Sequence, residues 1–182
     1  MSDKDFIKIY SQLDLPFQET KEIYLKKIFK TLEKEFDLKE NSKQSFIDLG
    51  SGNGRIIIYS AINYRIRSIG IEIDPILIKE AKNSIRLLRE AKTFEKKLLN
   101  KITLIHGNFY THSLKKYDFI YIYSLPTMQK YLKHVFKTAQ NGSIIISHIY
   151  PLKNLNIYLE LKLKLEIDKE DKETFTFFYR RI

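Results

Sequence analysis

The chain has 182 residues, 43% hydrophobic and 30% charged, with a formal net charge of +10 and no cysteine. That length suits one domain with a real core, and the lack of cysteine excludes disulfides, thiolate zinc sites and cysteine nucleophiles. No apolar run approaches a membrane-spanning length, and the mixed-charge start MSDKDFIKIY lacks a signal-peptide pattern, so a cytoplasmic home is expected.

The basic residues are scattered, with no dense Lys/Arg block. The charge is read first as a habit of lysine usage. A basic surface that steers nucleic acid or an acidic protein is the open alternative.

In chain order, Leu25, Ile28, Phe29, Leu32 and Phe36 form a helical stripe within 19–36. SFIDL (45–49) reads as a short buried strand. It runs into three glycines at alternate positions, Gly50, Gly52 and Gly54. RIIIYSAINY (55–64) follows as a helix with Ile57, Ala61 and Tyr64 on one face, and SIGIEI (68–73) as a strand. Asp74 can cap the next helix and Pro75 suits its first turn; its apolar face is Ile78, Ala81, Ile85 and Leu88.

KITLIH (101–106) is a strand ending at Gly107-Asn108, and YDFIYIY (117–123) is another. One helix is expected over 127–140, stopping at Asn141-Gly142 before the strand SIIISHI (143–149). Alternating strands and helices indicate a parallel sheet with crossover helices. Over 157–167 the period becomes two, which predicts a long strand with one buried face. The charged turn DKEDKE (168–173) and the β-rich TFTFFYRRI (174–182) complete a hairpin, so one strand should run antiparallel. The fold class is thus α/β, a Rossmann-like, mostly parallel sheet with one antiparallel C-terminal strand and helices on both faces. Residues 1–182 are expected to form a single domain, with 1–40 as an N-terminal helical segment on the substrate side.

The glycine loop fits neither common phosphate loop. A Walker loop needs Gly-Lys-Ser/Thr, and the dinucleotide fingerprint needs a glycine or alanine where Arg55 stands. The glycines still let a backbone approach a ligand closely, with N–H groups available to a carboxylate. Glu72, at the end of the second strand, can accept both hydroxyls of a ribose. Asn108, at the end of the third, can bond an adenine edge with Phe109 beside it for stacking. Asp48 either braces the loop or holds an ammonium. These residues lie at strand ends, where open α/β sheets bind ligands.

Taken together the chain resembles a class I methyltransferase that uses S-adenosyl-L-methionine. DLGSGNGR is similar to that superfamily's first motif, GIEID to the second, GNF to the third and YDFIYIYSLP to the fourth; the terminal hairpin agrees. The resemblance covers roughly 15–182. It implies a cofactor site made of Asp48, Gly50, Ser51, Gly52, Gly54, Arg55, Glu72, Ile73, Asn108 and Phe109, with Phe17 and Thr20 closing over it. Arg55 is expected against backbone or a carboxylate at the cofactor rather than against substrate.

The fourth strand ends in Tyr123-Ser124-Leu125-Pro126, where the superfamily faces its methyl acceptor. The Asn/Asp-Pro-Pro-aromatic pattern of enzymes that methylate base or glutamine NH2 groups does not occur there. A closer likeness is to the small archaeal protein lysine methyltransferases and their mitochondrial relatives acting on the ATP synthase c subunit and adenine nucleotide translocase. DLGSGNGRIII, GIEIDP and ISH carry it. In that group's Pro-aromatic-x-Pro-Ser/Thr segment, Pro16, Phe17 and Thr20 match and Glu19 replaces the second proline.

The resemblance implies a protein partner with an accessible lysine. Tyr123 and Ser124 are the candidate catalytic residues, Tyr123 orienting the amine by its hydroxyl or ring face. The alternatives are an RNA methyltransferase and a non-catalytic, cofactor-binding partner subunit. His106, His112, His134 and His148 show no ligand spacing, so no metal site is expected. His148 is assigned a hydrogen-bonding or packing role, and most of the aromatics are assigned to the core.

Overall fold

The computed structural model describes residues 20–167 and 174–182; Phe17 and residues 168–173, where a turn is expected, lie outside them. Seven strands form one sheet: β1 (Ser45–Leu49), β2 (Arg67–Glu72), β3 (Ile102–His106), β4 (Phe119–Ile122), β5 (Ile144–His148), β6 (Leu159–Glu166) and β7 (Phe175–Arg181). Their spatial order is β3-β2-β1-β4-β5-β7-β6. β7 is antiparallel to both β5 and β6, and the remaining pairs are parallel. The expected single reversed strand is therefore β7. The order turns back between β1 and β4, and such a switch point leaves a crevice beyond the carboxyl ends of the strands.

Both faces of the central strands are covered. In β1 the side chains alternate: Ile47 and Leu49 join one core with Ile71, Ile122, Ile145 and Phe136, whereas Phe46 joins a second with Phe29, Tyr121, Ile146 and Phe178. Alternation places Asp48 on the same face as Phe46. Helix α1 (Glu22–Glu35) covers the second face through Leu25, Ile28, Phe29 and Leu32, the stripe read from the sequence. Helix α2 (Arg55–Asn63) starts directly from the glycine loop, and α3 (Pro75–Glu90) starts at Asp74, whose carboxylate accepts the Ile76 amide hydrogen at 2.7 Å. A short helix α4 (Lys96–Leu99) leads into β3.

Two elements differ from the sequence reading. The single helix over 127–140 is two short helices, α5 (Pro126–Gln129) and α6 (Lys133–Phe136). Each is a single turn, and Met128, Leu132, Val135 and Phe136 still face one core. Their apolar spacing reflects that shared burial, which a broken helix supplies as well as a continuous one. The strand over 157–167 starts later, at Leu159, and its alternating face is only partly covered. Ile157 is 79% exposed and Leu161 51% exposed. β6 is one of the two sheet edges, and its register against β7 shifts between Leu161 and Leu163. A bulge of this kind re-aims side chains and lets the edge twist away from further pairing.

Candidate functional site

The loop 50–54 is held to the end of β2 by backbone and by one side chain. The amides of Gly50 and Ser51 donate to the Ile71 carbonyl at 2.9 and 3.0 Å. Glu72 turns back onto the loop: Oε2 accepts the Gly52 amide hydrogen at 2.8 Å, and Oε1 accepts those of Ile73 and Asp74 at 2.7 and 2.9 Å. Gly54, at φ +79°, is the N-cap of α2. A Cβ on it would stand 3.1 Å from the Ala81 Cβ, so both the left-handed backbone and the contact with α3 require glycine.

Gly70, inside β2, is closer still to the loop. A Cβ there would lie 2.5 Å from the Ser51 Oγ and 2.8 Å from the Ile57 side chain. It pairs in register with Asp48. The loop and α2 therefore pack directly onto the β2 backbone, and the missing side chain of Gly70 makes that approach possible.

Asp48 is the electrostatic centre of the site. It is 1% exposed, and neither carboxylate oxygen has a hydrogen-bond partner among the described residues. Burial, and then the nearby Glu72 carboxylate, push its carboxyl well above the usual carboxylate range. An unpaired acid in that position costs stability in its charged form. Across β4 its register partner is Tyr121, whose hydroxyl is 3.1 Å from the Thr20 Oγ1. Thr20 thus reaches the sheet beside Asp48, and Lys21 is the N-cap of α1.

The third strand end closes the other side. The Gly107 amide donates to the Glu72 carbonyl at 2.8 Å. Asn108 Oδ1 accepts the Tyr110 amide hydrogen at 2.9 Å and so caps the 3-10 turn Phe109–Thr111. Phe109 faces the loop, its Cε1 3.9 Å from the place a Gly50 Cβ would occupy.

At the fourth strand end Tyr123 is half-buried, and Ser124 is fully buried with no partner for its Oγ among the described residues. Leu49 pairs with Ile122, so Gly50 and Tyr123 leave neighbouring strands at one level.

The family model for the ANTKMT methyltransferase domain matches residues 48–158. The chain belongs to this family.

The match opens at Asp48 and runs through every strand end just described. A curated protein-lysine N-methyltransferase of Saccharolobus islandicus (strain REY15A) is 25% identical over 111 residues, which are 60% of this chain and 64% of that one. Among solved structures, an RNA methyltransferase from Salinibacter ruber in complex with S-adenosyl-L-homocysteine superposes with a TM-score of 0.72 at 22% identity. It covers 90% of this chain and 94% of that one. P. horikoshii TYW2 in complex with MeSAdo gives 0.65 at 16% identity, covering 92% and 66%. At these identities the structures establish the fold, a class I methyltransferase fold, and nothing finer.

Within this ANTKMT-domain chain, Asp48, Gly50, Ser51, Gly52, Gly54, Arg55, Glu72 and Ile73 gather at the loop. Asn108 and Phe109 stand at the adjoining strand end, Thr20 joins through Tyr121, and Tyr123 and Ser124 stand on the far side of β1. Phe17 lies outside the described residues. Sequence reasoning passed over Gly70, although a glycine inside a strand pattern already signals close backbone approach.

Proposed function

We propose that this chain is a protein-lysine N-methyltransferase that uses S-adenosyl-L-methionine. The observation that carries the donor is the pair of buried Asp48 oxygens, without a partner among the described residues, at the foot of the glycine loop, an environment suited to a positively charged ligand. The bound donor supplies a methyl group on a cationic sulfur, which passes to a nitrogen lone pair while the S–CH3 electron pair stays on sulfur.

The protein's own part is placement. Glu72 keeps one acceptor site, on Oε2, for a ribose hydroxyl once its three backbone bonds are counted. Phe109 offers a ring face beside Gly50 for the adenine, and Asn108 its amide. Asp48 takes the charged form when a cation arrives. Tyr123, whose hydroxyl burial keeps protonated, stands where the acceptor amine would enter. Alignment of this kind is the main source of rate in a bimolecular displacement. The lysine must react as a neutral amine, and burial beside a positive sulfonium lowers the pKa of an ammonium.

The lysine acceptor is supported by the curated relative's name and by the lack of an Asn/Asp-Pro-Pro group at the β4 end. The test is incubation with methyl-labelled S-adenosyl-L-methionine and a cell extract, followed by separation of protein and RNA. Label recovered as methyl-lysine is expected. Label in RNA alone would overturn the acceptor and favour the RNA alternative, which the net charge of +10 leaves open. Donor binding without transfer to either fraction would make the chain a binding subunit.

A further inference from the structure

Beyond β4 and β5 the structure holds an aromatic group that none of the residues assigned above, Tyr123 apart, includes. His148 ends β5 and is 3% exposed. The rings of Tyr24, Tyr121 and Tyr123 lie 5.9, 6.2 and 6.1 Å from it, from α1, from β4 and from the residue just past β4. Tyr150 returns against Tyr123 with centroids 6.2 Å apart and planes tilted 34°. Tyr24, Tyr121 and His148 are buried, whereas Tyr123 and Tyr150 are half-exposed, so the group has a floor and an open rim.

The turn that brings Tyr150 back is strained. Ile149, a β-branched residue, has φ +66°. Such residues avoid the left-handed region, and strain of this kind persists only where its surroundings impose it. Here three hydrogen bonds do. The Ile149 amide donates to the Phe175 carbonyl at 2.7 Å, the Tyr150 amide to the His148 carbonyl at 2.9 Å, and the Ser147 hydroxyl to the Tyr150 carbonyl at 2.6 Å. The turn sets the Tyr150 ring beside Tyr123, next to the expected acceptor entrance.

Burial disfavours charge in the floor. His148 Nδ1 is hydrogen-bonded to the Thr176 Oγ1 at 2.9 Å, and burial pushes its pKa down to about 4. The groups facing it from α1, β4 and β7 are tyrosines and a threonine. A neutral imidazole does not repel an incoming ammonium, and tyrosine ring faces attract one.

We propose that Tyr123, standing over His148, and Tyr150 beside it form the seat of the acceptor lysine's amine group, with Tyr150 a binding residue that the fourth-strand motif does not announce. This rests on the protein-lysine reading. The seat holds the amine by ring faces rather than by a carboxylate, so it accepts the ammonium on entry and lets its proton pass to solvent at the open rim.

The experiment compares wild type, Tyr150→Leu and Tyr150→Phe. Methyl-labelled S-adenosyl-L-methionine is the donor and cell-extract protein the acceptor; methyl-lysine is counted and donor affinity is measured by calorimetry. Tyr150→Leu is expected to cut methyl-lysine formation on the order of tenfold, mainly by raising the half-saturating protein concentration, and Tyr150→Phe to restore most of it. Donor affinity should stay within about twofold in both, since the seat lies outside the donor's loop. In wild type, tetramethylammonium should inhibit in competition with protein, more strongly than sodium at matched ionic strength. Equal methyl-lysine formation by wild type and Tyr150→Leu would overturn the seat alone, as would a parallel loss of donor affinity or no selective tetramethylammonium inhibition. Wild-type label confined to RNA would overturn the lysine reading and the seat with it.

Discussion

The Glu72 carboxylate fastens the glycine loop to the end of β2, with Oε2 accepting the Gly52 amide hydrogen at 2.8 Å. A residue expected to hold a ribose therefore also shapes the loop beside it. Glu72→Ala leaves three amides without their acceptor and removes the ribose partner. Affinity for S-adenosyl-L-methionine should fall tenfold to a hundredfold, on the order expected for lost bonds to a charged group. Calorimetry on the folded variant checks this, and unchanged affinity would show the ribose assignment to be wrong. Glu72→Gln, which keeps one acceptor oxygen, should fall between.

Gly70→Ala should be destabilising by about 1–3 kcal/mol, the range for overpacking a filled site. The new Cβ would meet the Ser51 Oγ at 2.5 Å and Ile57 at 2.8 Å, so Ser51 and with it the loop must shift. Donor affinity should fall along with the thermal midpoint. A variant with wild-type stability and binding would mean that the loop does not depend on its packing against β2.

What the sequence made legible follows the range of the interactions. The glycines at 50, 52 and 54 and the Asp74-Pro75 helix start are set by neighbouring residues, and the structure contains them as read. The reversed β7 follows from the period-two pattern of the terminal hairpin. The break between α5 and α6 was hidden, because a face buried against one core gives the same apolar spacing whether or not the helix is continuous. The edge position of β6 was hidden too, since strand order is not local. Asp48 was legible as a candidate site residue, but its burial without a partner among the described residues depends on the β2 and β4 strands on either side. Tyr150 was not legible, because it reaches Tyr123 only through the Ile149 turn.

Asp48→Asn should stabilise the free protein at neutral pH. The folded-state pKa of Asp48 is raised, so the native state holds that proton more tightly than the unfolded chain. Its stabilising contribution is complete below the unfolded carboxylate value and is lost as pH rises through the folded one. A neutral amide removes this loss, with a gain on the order of 1–3 kcal/mol for a buried group relieved of its charge. The same change should weaken donor binding, because the cation loses its counter-charge. Urea unfolding at acid and neutral pH, with calorimetry at neutral pH, checks both. A variant less stable than wild type at neutral pH, by the same margin as in acid, would contradict the buried-charge account.

His148 sets the opposite slope. Its ordinary value of 6.5 falls to about 4 on folding, with burial as the cause. Between these values the unfolded chain binds a proton that the native state refuses, so stability is complete above about 6.5 and declines as pH falls toward about 4. The full difference corresponds to about 3 kcal/mol at 1.36 kcal/mol per pKa unit. His148→Asn has no such group and can still bond Thr176, so its unfolding midpoint in urea should fall less steeply over that window. Any fixed cost of the smaller side chain shifts the whole curve and leaves its slope unchanged. Raised Asp48 and lowered His148 lie on adjacent parts of one crevice, and only the variants separate them. Asp48→Asn should steepen the acid decline that His148→Asn flattens. Parallel curves for wild type and His148→Asn would mean that His148 takes up its proton in the folded protein as readily as in the unfolded chain, and that the floor beside Tyr123 carries charge below about 6.5.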